Sequence, residues 1–106
     1  MTPEQRYADL VVKFADRRAV TSVHGQGFGS TGQLKVNGHI FAMLVRGELV
    51  VKLPHNRVDE LVRSGDGKYF DAGKGKPMRE WFVLSATSNK QWLPLTKEAM
   101  DFVGGA

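Results

Sequence analysis

The sequence predicts an α+β domain: an antiparallel sheet of about five strands around a central three-stranded meander, packed by three helices. Three observations lead there. Apolar residues recur at helical spacing near both ends of the chain and once in its middle. Short β-branched or alternating runs lie between these patterns, joined by tight-turn signals such as Asn37-Gly38. The resulting order, α-β-β-β-β-α-β-β-α, puts sequential strands beside one another rather than alternating strand with helix.

The first element is a helix. Thr2 is a possible N-cap, Pro3 suits the first helical position, and Gln5 completes a possible capping box. Tyr7, Leu10, Val11 and Phe14 fall on one stripe, and Arg17 and Arg18 follow at the end that favours cations. Val20-Thr21-Ser22-Val23 is a short strand. Leu34-Lys35-Val36, the Asn37-Gly38 turn and the return strand His39 to Arg46 form a hairpin, with a type I′ reversal that needs positive φ at both turn residues. The return strand is apolar on both faces, which predicts a central position with cover on each side. Gly47 permits a second reversal into Glu48 to Leu53, so residues 33–53 read as the meander.

Pro54 stops that strand, and His55 or Asn56 can cap a second helix. Val58, Leu61 and Val62 form its stripe, Asp59 and Arg63 can pair four residues apart, and Gly65 suits the C′ position. A short strand around Tyr69-Phe70 leads into a glycine-lysine loop. Met78 to Leu84 is a further strand, with Trp81 and Val83 on one face and Phe82 and Leu84 on the other. Ser88 and Gln91 could form a capping box, but the regular part of the third helix is expected to begin near Pro94, because a proline clashes inside a helix. Leu95, Ala99, Phe102 and Val103 would face inward, and Gly104-Gly105 ends the helix.

The whole chain, 1–106, is expected to be one domain. It has no cysteine, which excludes disulfides, thiolate nucleophiles and cysteine-rich zinc sites, and fits a cytoplasmic location. Its first residues lack the basic-then-apolar pattern of a secretory signal. The longest apolar run, Ile40 to Val45, has six residues, against about twenty for a membrane helix. A soluble protein without membrane contact is expected. A net charge of +4 permits contact with nucleic acid or acidic partners.

Gly27-Phe28-Gly29-Ser30-Thr31-Gly32 spells G-x-G-x-x-G. A dinucleotide turn leaves a strand and opens a helix, whose N–H groups meet the pyrophosphate. This segment instead runs into strand and hairpin, so the glycines read as backbone shaping around Phe28, and no cofactor is expected. Asp71-Ala72-Gly73-Lys74-Gly75-Lys76 is the better anion candidate, since glycines let successive N–H groups line a concavity. With Lys68 and Arg79 it makes Lys68, Lys74, Lys76 and Arg79 the candidate anion or nucleic-acid contacts, set against the plainer reading of solvated lysines on a hairpin tip. His24, His39 and His55 have no zinc-ligand spacing. No serine has a nucleophile-elbow context, so neither a metal nor a catalytic residue is nominated. Trp81 and Trp92 can stack on bases or plug the junction between sheet and helices; the plug is the expectation. With Phe28, Gly38 and Phe41 they are the expected structural anchors.

Phe28-Gly29, Leu34, Gly38, Phe41-Ala42, Gly47, Leu49 and Lys52-Leu53, continued by Phe70, Gly73 to Met78 and Trp81, resemble the N-terminal domain of TfoX/Sxy proteins. The resemblance to the MmcQ/YjbR group is more distant. It spans roughly residues 5–103. It implies a compact α+β domain with an antiparallel sheet, similar to the secretion-chaperone-like fold, in a family linked to regulation of bacterial DNA uptake, with no catalytic residue to carry over. The chain departs from the family pattern by one extra residue between Phe28 and Leu34, assigned to Gln33 and accommodated by a bulge. No residues correspond to the separate C-terminal domain of full-length TfoX. The expected function is therefore that of a non-enzymatic regulatory or interaction module acting through a protein partner or self-association. Nucleic-acid binding through the glycine-lysine loop is the second reading, and a small-ligand binder or enzyme the third.

Overall fold

A computed structural model describes residues 3–14, 20–23, 30–70, 78–85 and 91–105 of the chain. The elements are α1 (Pro3–Phe14), β1 (Val20–Val23), β2 (Ser30–Val36), β3 (His39–Val45), β4 (Glu48–Lys52), α2 (His55–Arg63), β5 (Gly67–Phe70), β6 (Met78–Leu84) and α3 (Trp92–Val103). This is the α+β order read from the sequence. The short Val20–Val23 segment takes its place beside β2, so the antiparallel sheet has six strands, ordered β1-β2-β3-β4-β6-β5.

The two meander turns have the same backbone solution. Asn37 and Gly38 sit at φ 53° and 82°, and Arg46 and Gly47 at 52° and 78°, as type I′ hairpins require. Gly38 is therefore the turn anchor the sequence indicates. β2 begins at Ser30, three residues before the expected strand, because pairing with β3 extends to Ser30↔Val45. Between Ser30↔Val45 and Gln33↔Met43 the register shifts by one residue, which is a bulge on β2. Gln33 itself is paired, with both Met43 and Val23, so the extra residue is Thr31 or Gly32 rather than Gln33.

A second shift, between Leu34↔Ala42 and Lys35↔Ile40, leaves Phe41 as the extra residue on β3. It explains the apolar run. Strict alternation would send Phe41 and Ala42 to opposite faces, whereas the bulge lets both be fully buried in the same core. Phe41 meets Phe14 of α1 edge-on, with ring centroids 5.9 Å apart.

All three described helices pack on one face of the sheet. Tyr7, Leu10 and Phe14 of α1, Val58 and Leu61 of α2, and Trp92, Leu95 and Ala99 of α3 share one buried cluster with Leu34, Phe41, Ala42, Leu44, Leu49, Val51, Phe82 and Leu84 of the strands. The expected cover on both sides of β3 is not supplied by any described helix.

α2 ends in a Schellman motif: Asp66 N–H donates to Leu61 O and Gly65 N–H to Val62 O, with Gly65 at φ 83°. Pro54, not His55 or Asn56, occupies its N-cap position. Asp59 accepts from the Tyr69 hydroxyl rather than pairing with Arg63. α3 starts at Trp92, two residues before Pro94. A proline in the first turn gives up no helical hydrogen bond, because those N–H groups have no partner within the helix. Phe102 is 36% exposed, not inward. At 100° per residue it falls about 20° beyond Leu95, at the margin of the arc formed by Leu95, Thr96 and Ala99. Gly67 admits no side chain, since a Cβ there would lie 2.0 Å from Val83 O.

Candidate functional site

The second face of the sheet has a continuous row of positions. Val23, Gln33, Met43, Val50, Val83 and Lys68 stand opposite one another in register across all six strands. At about 4.8 Å per strand this row is roughly 24 Å long. Its middle is apolar. Val50 and Val83 are directly paired and 1% and 4% exposed, yet they stand apart from the cluster that joins sheet to helices.

Beside this row, Lys52 of β4 pairs with Trp81 of β6. The Lys52 ammonium lies over the indole, 5.7 Å from the ring centroid, which is cation–π geometry. Period-two alternation from Gln33 places Lys35 on this same face. A depression of about 140 Å³ lies at the Lys68 end, bounded by Arg46, Glu48, Val50, Lys68, Phe70 and Val83. Arg46 enters it from a left-handed backbone position where Asn or Gly is the usual occupant. The face thus carries cations from β2, β4, β5 and the β3–β4 turn, with one carboxylate, Glu48, among the residues lining the depression.

Polar groups on the helix side tie elements together. Arg57 of α2 donates from Nε to Glu98 of α3 at 2.8 Å and from a terminal nitrogen at 3.3 Å, and also pairs with Glu60. These hydrogen bonds raise the Arg57 pKa. The buried Tyr7 hydroxyl donates to Ala42 O at 3.4 Å, and burial raises its pKa. Thr96 donates to Trp92 O at 2.8 Å. Among the described residues every buried side-chain nitrogen or oxygen has a partner, and no group of three His, Asp or Glu side chains gathers as a metal site. No described helix is long and apolar enough to cross a membrane.

Of the four candidate anion contacts, Lys68 is exposed on β5, at the end of the row. Arg79 belongs to β6, but its side chain lies outside the described residues, as do Lys74 and Lys76. Thr2, Arg17, Arg18, His24, Phe28 and Ser88 also lie outside them. Phe41 and Trp92 are core anchors as expected, with Arg6 stacked 4.4 Å from the Trp92 ring. Trp81 does not plug the sheet–helix junction. It is half-buried on the other face under Lys52, because alternation along β6 gives the helix side to Phe82 and Leu84. Sequence reasoning missed Lys35, Arg46 and Lys52. Lys35 and Lys52 are polar members of alternating strands, which is a readable signal, but the pairing of Lys52 with Trp81 joins β4 to β6 across two intervening elements. Compared with protein-family models, curated proteins and solved structures, the chain matches none.

Proposed function

We propose that the chain is a non-enzymatic cytoplasmic interaction module, of the kind implied by its resemblance to TfoX N-terminal domains, and that it works through the face of its sheet that carries no described helix. One observation carries the reading: the cations and the half-buried Trp81 lie along one face of the sheet, spread over several strands and a turn. The polar contacts between distant elements, Arg57–Glu98 and Tyr69–Asp59, are by contrast used to hold helices and strands in place.

NMR mapping tests it. The isotope-labelled chain is titrated with protein, nucleic-acid and small-molecule fractions of a cell extract. The expected result is a set of amide shifts centred on Met43, Val50, Lys52 and Trp81, caused by a macromolecular fraction. Shifts confined to the helices, or produced only by the small-molecule fraction, overturn it.

A further inference from the structure

We infer that the occupant of this face is a single-stranded nucleic acid, bound by its phosphates at Lys35, Lys52, Lys68 and Arg46 and by a base stacked on Trp81. This rests on the preceding reading that the face without a described helix is the working surface, and it names the chemistry of the partner.

The first argument is charge. Lys35, Lys52 and Lys68 come from three strands and point to one face, and Arg46 joins them at the turn. None of the four belongs to either salt bridge found among the described residues. A polyanion releases its counterions on meeting such a surface, which is the main driving force for sequence-independent nucleic-acid binding.

The second argument is the ring. Trp81 already holds a cation over its face. An indole that accepts an ammonium on its π surface can accept a base there, while Lys52 swings aside to a phosphate. Sheets that present aromatics flanked by cations use this arrangement for unpaired bases.

The third argument separates single strands from duplex. A groove is entered by a helix, a ribbon or an inserted side chain, and no described helix stands on this face. A flat ring on a sheet reaches only bases that are already unstacked. The backbone of Arg46 fits the same picture. Its left-handed conformation is one that arginine adopts at a cost, at the rim of the depression that also includes Lys68.

The test is fluorescence anisotropy of labelled fifteen-nucleotide oligo-dT and oligo-rU with the full chain at 50 mM salt. Both a fifteen-base-pair duplex and poly-glutamate compete. Binding of either oligomer is expected, with log K falling against log salt at a slope of about −2 to −3 for three or four phosphate contacts. Trp81→Ala should weaken binding by about 5- to 150-fold, and Trp81→Phe should restore most of it. Lys52→Ala and Lys68→Ala should each reduce the salt slope by about 0.7. Lys97→Ala, on the exposed side of α3, should change nothing beyond twofold.

Binding that ignores Trp81 and falls equally with Lys97→Ala would be adsorption to a basic protein and overturns the inference. So does tighter capture of duplex or of poly-glutamate than of the oligomers, the latter pointing to an acidic protein partner. If no oligomer binds while amide shifts still map a protein to this face, the nucleic-acid inference fails and the interaction-module reading stands. Circular dichroism and thermal melting establish that each variant is folded.

Discussion

Val50 and Val51 are neighbours on β4, identical in type, and 1% and 0% exposed, yet they belong to different worlds. Val51 faces the three helices and is part of the single cluster that joins them to the sheet. Val50 faces the opposite way, against Val83 and the basic row. The difference teaches that burial alone does not mark a core. One face is closed by helices, whereas the other has no described helix on it and carries exposed or half-buried cations and a half-buried indole. The first face explains why the chain folds, and the second is the proposed working surface.

The largest expected break of this contrast is on the helix side. Phe41→Ala removes a fully buried ring held between the bulge and Phe14. It should cost about 3–5 kcal/mol in urea-monitored unfolding. A loss below about 1 kcal/mol would mean that the ring does not organise that face.

The two valines sharpen the point directly. Val51→Ala leaves a cavity walled by helices and should cost about 2–3 kcal/mol, while Val50→Ala should cost about 1 kcal/mol, because side chains at the sheet surface can lean into the gap. Equal costs in parallel melts would erase the distinction between the faces.

Alkali offers a smaller effect that reports on the helix side alone. The Tyr7 hydroxyl is neutral in the fold and its pKa is raised by burial. Above about pH 10 the unfolded chain releases this proton while the folded chain keeps it. The stability contribution is therefore complete below that pH and is lost as pH rises, at up to about 1.4 kcal/mol per pH unit. Tyr7→Phe should flatten the alkaline stability curve relative to the parent chain. Identical slopes from pH 9 to 11 would show that Tyr7 ionises as easily folded as unfolded.

The smallest effect is a gain. Arg46→Asn places a residue suited to positive φ in the second turn, as Asn37 is in the first. It should stabilise by on the order of 0.5 kcal/mol. If the same variant also weakens oligonucleotide binding, the turn has given up local fitness for a role on the basic face.

What could be read from the sequence was local. Asn37-Gly38, the α1 stripe and Gly65 each depend on backbone preferences within a few residues, and each is where it was expected. Trp81 was not readable, because β6 is apolar on both faces and nothing within it says which face receives the helices. Lys52 beside Trp81 depends on β4 and β6 becoming neighbours after α2 and β5 have been placed. Phe102 illustrates the limit of periodicity: an apolar residue at the margin of a stripe is assigned by the neighbouring elements, not by its spacing. The basic face is signalled in the sequence chiefly by Lys68, since Lys35 and Lys52 are single polar letters in alternating strands and Arg46 sits in a turn.

The paired bulges on β2 and β3 set where this chain can change length. Their offsets cancel, since one extra residue on β2 is matched by one on β3, so the pairing from Lys35↔Ile40 onward is back in the register of Ser30↔Val45. Deleting residue 41 would remove one ring yet leave Ala42, Met43 and Leu44 on their present faces. Deleting Met43 instead would turn the rest of β3 over, sending Leu44 outward and Val45 inward. The hairpin thus contains a site where an insertion or deletion costs a side chain rather than a register, bordered by positions where the same event would invert a strand.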